Sequence, residues 1–206
     1  MFHSISKRPR NSSCKEDCPT QVGVGSNPNL RAIYLFGEIN PDCASELVSL
    51  LHILNSSKGD IYLYISSGGG DEYSGWTIYD ALRMSPNKII GICYGQCMSI
   101  AVLILQACDS RLSSENCRFM LHNGSHGSGD TSLSEFQESA KESGTLTDLY
   151  YKAVHEKSNI TKDQLAKLCT NVSYFGADIA CGYGLIDGIV TPKDKTAKKR
   201  TKNATK

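Results

Sequence analysis

Between Arg31 and His122, runs of β-branched and aromatic residues alternate with apolar residues at helical spacing, and no other feature narrows the possible folds so far. Arg31 to Phe36 reads as a strand. Asn40 and Pro41 then supply a helix N-cap and a first helical residue, and Ala44, Leu47, Val48, Leu51 and Leu54 follow at helical spacing. Ile61 to Ile65 is the next strand, followed by a glycine-rich turn, Ser66-Ser67-Gly68-Gly69-Gly70. Tyr73 to Met84 reads as a helix carrying Trp76, Ile78, Tyr79 and Leu82. Lys88 to Tyr94 reads as a strand, Ser99 to Cys108 as a helix and Cys117 to His122 as a strand. Repeated β-α-β units predict an α/β fold. Further on, Ser132-Leu133-Ser134-Glu135 is a capping box, and Leu133, Phe136, Ala140, Leu146, Leu149, Tyr150, Ala153 and Val154 continue towards Lys157. This predicts a long protruding helix, interrupted or bent near Gly144, that packs on its own sheet or on a neighbouring subunit.

With 206 residues, 40% of them hydrophobic and 21% charged, the chain can bury one core. Residues 1–29 are polar and without periodicity, which predicts a flexible N-terminal arm; residues 30–191 form the folded domain. Residues 192–206 hold seven basic residues against Asp194 alone, a basic disordered tail with no aromatic residue on which a base could stack. The net charge of +1 points to neither nucleic acid nor a membrane surface. Lys7, Arg8 and Arg10 are followed by polar Asn11, Ser12 and Ser13 where a secretory signal needs its apolar segment. The longest apolar run, Ile100 to Ala107, is far short of the about 20 residues that span a bilayer. A cytoplasmic protein is expected. Most of the nine cysteines lie in apolar segments, as buried reduced thiols do. Cys14 and Cys18 are half of a metal site with no second pair at suitable spacing, so no metal is expected.

The chemistry concentrates around Ser99, which stands between the strand run ending near Tyr94 and the apolar run from Ile100. A serine opening a buried helix lies beside free backbone N–H groups that favour a developing negative charge. His122, at the end of another strand, could serve as its base, and the Gly69-Gly70 segment could supply oxyanion donors. Taken singly, each element also has a plain reading, as a helix cap, a structural hydrogen bonder and a tight turn. His126 is an alternative base and Cys97 an alternative nucleophile.

The order of these elements resembles the proteolytic subunit of the Clp protease, from about Arg31 to Val190. Arg31-Ala32-Ile33-Tyr34-Leu35-Phe36-Gly37 is similar to that family's first core strand. Ile61 to Gly70 is similar to its strand and Asn-Ser-Pro-Gly-Gly segment, with Ser66 and Gly68 in place of Asn and Pro. Gly95-Gln96-Cys97-Met98-Ser99 resembles the Gly-Gln-Ala-Ala-Ser nucleophile motif, Arg118-Phe119-Met120-Leu121-His122 the segment bearing the base, and Tyr183-Gly184-Leu185-Ile186-Asp187 the closing motif. The resemblance implies a Clp protease/crotonase-like fold and a serine endopeptidase acting on unfolded proteins or short peptides through an acyl-enzyme. It makes Ser99 the nucleophile, His122 the general base and the N–H groups of Gly70 and Ile100 the oxyanion hole. It also implies a homo-oligomeric ring or stacked rings joined through Leu133 to Lys157, with no cofactor. ATP would be used only by a partner Clp-type ATPase, because the chain has no phosphate-binding Gly-Lys-Ser/Thr motif.

The family's third triad residue, an aspartate, falls near position 172, where this chain reads Thr170-Asn171-Val172-Ser173. Asn171 is the candidate for orienting the imidazole, while Asp163 and Asp178 are the nearest acids in sequence. The missing carboxylate opens a second reading, a weak or inactive scaffold subunit in a mixed ring. A third is an acyl-CoA enzyme of the crotonase type, against which Ser99 and His122 at the Clp spacing argue.

Overall fold

Strands and helices alternate as expected in the computed structural model, which describes residues 24–124 and 132–191. Six strands lie side by side in one sheet: β1 (Val24–Asn27), β2 (Ala32–Ile39), β3 (Ile61–Gly70), β4 (Ile89–Met98), β5 (Ser110–Ser114) and, beyond β5, the last strand, β8 (Gly188–Val190). Two more, β6 (Arg118–Leu121) and β7 (Ser173–Gly176), branch from the far end of β4. All pairings are parallel except β1 with β2 and β6 with β7. β1 and the two residues after it lie within the stretch read as a flexible arm and are ordered against β2; residues 1–23 of that arm, with Cys14 and Cys18, the basic tail and His126 lie outside the described residues.

Helices α1 (Pro41–Asn55), α2 (Glu72–Arg83) and α3 (Ile100–Gln106) cover one face of the sheet. The cap read from Asn40 is present: its Oδ1 accepts from the Cys43 N–H at 2.9 Å. Ile61, Leu63 and Ile65 of β3 are buried against Leu47, Leu51, Ile78 and Val102, and each such side chain contributes about 1.5–3 kcal/mol. The intervening residues turn to the other face. There Tyr34, Tyr64 and Tyr94 stack across β2, β3 and β4 at centroid distances of 5.3 and 5.8 Å.

The segment Ser66 to Gly70 is not a turn. It continues β3, pairing Gly69 and Gly70 with Glu38 and Ile39 after the register shifts between Phe36 and Glu38. β3 shifts against β4 at the same level, between Ile65 and Ser67. Glycine is unfavourable in a strand by propensity, but here a Cβ on Gly70 would stand 2.1 Å from the carbonyl oxygen of Ile39. Close approach of two backbones decides the residue.

The long helix, α4 (Leu133–Lys157), starts at the predicted capping box, with the Ser132 N–H donating to Glu135 at 2.8 Å. It passes Gly144 without interruption, because a single glycine costs only about 1 kcal/mol in a helix of 25 residues. Its buried residues, Leu146, Tyr150, Ala153 and Val154, all lie in the second half, and Leu133 and Phe136 are exposed. Beyond it come α5 (Lys162–Thr170) and α6 (Ala177–Gly182), which the apolar spacing did not reveal.

The closing motif packs on a buried arginine. Arg111 of β5 donates to Gln106 Oε1 and the Lys157 carbonyl at 2.6 Å, to the Gly184 carbonyl at 2.9 Å, and pairs with Asp187. The backbones of Arg111 and Asp187 add an N–H to O bond of 2.7 Å. One side chain thus joins β5, α3, the end of α4 and the approach to β8.

Candidate active site

β4 ends at Met98, and the chain turns sharply at Ser99 before α3 begins at Ile100. Ser99 has φ 55° and ψ −129°, a left-handed conformation that costs a non-glycine residue about 1–3 kcal/mol. The strain is held from two sides: the Ser99 N–H donates to the Met120 carbonyl of β6 at 2.9 Å, and its own carbonyl accepts from Val102 in α3 at 3.0 Å. Although Ser99 occupies the cap position of α3, its side chain makes no capping bond. Instead its Oγ lies 2.7 Å from Nε2 of His122, which stands just past the end of β6.

Gly70, Ile100, Ser99 and His122 line one cavity, with Glu72 at the start of α2 and Asn123 on its rim. Gly70 comes from the end of β3 and Ile100 is the first residue of α3, so the four predicted residues from three separate elements converge. Two glycines make the approach possible. A Cβ on Gly69 would lie 2.6 Å from that of Ser99, and one on Gly75 would lie 2.1 Å from Cγ1 of Ile100. A serine hydroxyl bonded to an imidazole is the arrangement in which the imidazole takes the hydroxyl proton as the oxygen attacks a carbonyl. Backbone N–H groups beside the hydroxyl suit the oxyanion that would form.

The remaining wall belongs to α4, through Thr147, Tyr150 and Tyr151, which the sequence marked only as part of a helix stripe or not at all. The Tyr151 hydroxyl donates to Asn123 Oδ1 at 2.6 Å, and burial pushes its pKa up to about 12. Asn123 is also held through its N–H, which donates to the Cys169 carbonyl at 3.2 Å. The segment after His122 is therefore tied to both α4 and α5.

The third position differs from expectation. Asn171 is exposed at the C-terminal end of α5, and among the described residues no hydrogen bond joins it to His122. Asp163, in the first turn of α5, and Asp178, in the first turn of α6, are exposed and make no such bond either. The ladder of β6 and β7 ends with Leu121 opposite Ser173; Val172 lies just outside it, in the turn that follows α5, with φ 48°. Cys97 is fully buried and does not line the cavity. The seven described cysteines are all free thiols, and burial pushes those of Cys108 and Cys169 up. Among the described residues there is no cluster of three metal-ligating side chains, and no helix is long and apolar enough to cross a membrane.

The model of the Clp protease family matches residues 26–193. The chain belongs to the Clp protease family. The ATP-dependent Clp protease proteolytic subunit of Deinococcus radiodurans is 31% identical, over 82% of this chain and 83% of that protein. The ATP-dependent Clp protease proteolytic subunit 2 of Prochlorococcus marinus is 30% identical, over 78% of this chain and 82% of that protein. Among solved structures, an asparagine-to-aspartate mutant of ClpP1 from Listeria monocytogenes shares the fold, with a TM-score of 0.74 and 24% identity over 81% of this chain and 95% of that one. Within this Clp protease family member, the matched region takes in every strand of the sheet except the start of β1.

Proposed function

We propose that this chain is a serine endopeptidase of the Clp proteolytic type, with Ser99 as nucleophile and His122 as general base. The observation that carries the reading is the 2.7 Å bond between Ser99 Oγ and His122 Nε2 inside a cavity that Gly70 and Ile100 also line. In the reaction, Ser99 Oγ attacks the scissile carbonyl while His122 takes its proton. The N–H groups of Gly70 and Ile100 stabilise the oxyanion, and His122 returns the proton to the leaving amine. Water then releases the acyl group by the reverse use of the same base. No metal or organic cofactor takes part.

The substrates are unfolded polypeptides and short peptides, and the working form is a homo-oligomeric ring or a pair of stacked rings in the cytoplasm. Among the described residues no side chain in the first half of α4 is buried, which supports such an assembly. A Clp-type ATPase would deliver folded substrates. The absence of an acid bonded to His122 among the described residues favours one alternative, a weak or inactive subunit filling a mixed ring.

Fluorophosphonate labelling of the assembled protein, together with cleavage of a short fluorogenic peptide, decides between them. Labelling and turnover that vanish in Ser99→Ala and persist in Cys97→Ala establish the peptidase. A wild-type protein that neither labels nor cleaves leaves the scaffold reading standing.

A further inference from the structure

The cavity beside Ser99 and His122 is small, about 50 Å³, and Thr147, Tyr150 and Tyr151 of α4 complete its wall. An apolar cavity of about 150 Å³ holds one benzene molecule, whereas a single water needs about 10–15 Å³. The space here therefore suits a side chain of about one to three heavy atoms and neither a leucine side chain nor a phenyl ring. Tyr150 sets that limit. It is 7% exposed and belongs to the apolar core, and its hydroxyl is buried with no hydrogen-bond partner among the described residues. What faces the cavity is thus the hydrocarbon part of the side chain. The ring stands edge-on to that of Tyr151, with centroids 6.3 Å apart, and Tyr151 is held in turn by its 2.6 Å bond to Asn123. A ring packed in this way does not swing aside for a larger group. The wall also selects by size rather than by hydrogen bonding. The Thr147 hydroxyl donates to the Ser143 carbonyl of its own helix at 2.9 Å, that of Tyr151 is spent on Asn123, and that of Tyr150 lies behind the ring. Glu72 lines the same cavity and disfavours an acidic side chain there.

Resting on the peptidase reading above, we infer that the enzyme cleaves after small uncharged residues, alanine foremost, and that the ring of Tyr150 excludes larger ones. With the scissile carbonyl carbon at Ser99 Oγ and its oxygen at the N–H groups of Gly70 and Ile100, the side chain of the acyl residue has only the space towards α4. A side chain too large for that space holds the carbonyl away from Ser99, so the discrimination appears in the rate of attack.

The test measures how fast Ser99 is labelled, in the assembled protein, by peptidyl diphenyl phosphonates that carry the side chain of alanine, leucine or phenylalanine next to phosphorus. A simple fluorophosphonate, which has no such side chain, reports the nucleophile itself. Wild type is expected to take the alanine probe at least about tenfold faster than the other two. In Tyr150→Leu the leucine probe gains about tenfold while the alanine probe changes little. Tyr150→Phe keeps the ring and loses only an unpartnered hydroxyl, so it retains the wild-type preference. Thermal unfolding reports the folding of both variants, and the wild-type preference tests the size limit whatever the folding of Tyr150→Leu. A wild type that the fluorophosphonate labels at Ser99, but that takes leucine or phenylalanine as fast as alanine or takes none of the three, overturns the inference and leaves the peptidase reading intact. A preference unchanged in folded Tyr150→Leu, or lost in Tyr150→Phe, overturns the role of the ring. No labelling of Ser99 by any probe, the fluorophosphonate included, overturns both readings.

Discussion

Gly69 and Ser99 leave no room between them for a methyl group: a Cβ on Gly69 would stand 2.6 Å from the Ser99 Cβ, 3.0 Å from the Met98 carbonyl and 3.1 Å from the Ser99 Oγ. Gly69 also has φ 100°, where an L side chain is strained whatever space it finds. Gly69→Ala must therefore push Ser99 away from His122. The expected result is a loss of about a hundredfold or more in peptide cleavage, the scale of an ångström-sized misplacement, while the unfolding midpoint falls only modestly. Steady-state kinetics beside a thermal melt measures both.

Arg111 is nine-tenths buried, and three acceptors outside its ion pair depend on it. Arg111→Met removes the donor for Gln106 Oε1 and for the carbonyls of Lys157 and Gly184 while keeping most of the side-chain volume. It is expected to cost about 3 kcal/mol, the scale of a buried charged group lost from its hydrogen-bonded partners. Urea unfolding with an unchanged slope would assign the loss to the folded state.

The pH dependence of that same network follows from Asp187. Partial burial alone would push its carboxyl up, but the hydrogen bonds and charge of Arg111 outweigh burial and hold it below the usual carboxylate range. A carboxyl lowered on folding contributes stability above its unfolded pKa, near 3.9, and that contribution is lost as pH falls through the lower folded value. Wild type is thus expected to melt above Asp187→Asn at neutral pH, with the gap closing only below about pH 4. A gap that closed near pH 6 would point to a different group.

Leu133 and Phe136 are 74% and 52% exposed on the first turn of α4, where nothing among the described residues covers them. Leu133→Ser with Phe136→Ser should leave the melting of the subunit almost unchanged and lower the assembled mass in light scattering. Unchanged mass would remove this end of α4 from the assembly surface.

Much of the arrangement was open to reading in the sequence because it rests on local patterns. The Asn40 cap, the alternation in Ile61 to Ile65 and the Ser132 capping box each act within a few residues. Ser99, His122, Gly70 and Ile100 could be paired through motifs, and the structure brings them around one cavity. The misreadings came from residues whose state is set at a distance. Ser66 to Gly70 looks like a turn until Ile39 and Ser99 are known to lie against it. The polar run Ser110 to Ser114, for which the sequence pattern offers no reading, is a strand between β4 and β8, with Arg111 buried on Asp187, 76 positions away. Asn171 is singled out by its chemistry, but it closes α5 in an exposed position, and among the described residues no hydrogen bond joins it to His122.

The paired register shifts of β3 divide the sheet into two regions with different tolerance for change. Below them, Ile61, Leu63 and Ile65 lie in the apolar core, and one aliphatic residue can replace another of similar volume at a cost of about 1.5 kcal/mol or less. Above them, Ser67, Gly69 and Gly70 are read by backbone and by the site itself, and hardly any substitution fits. The lower sheet can thus take many apolar sequences while the upper edge takes few, so the site's geometry constrains far fewer positions than the fold that carries it.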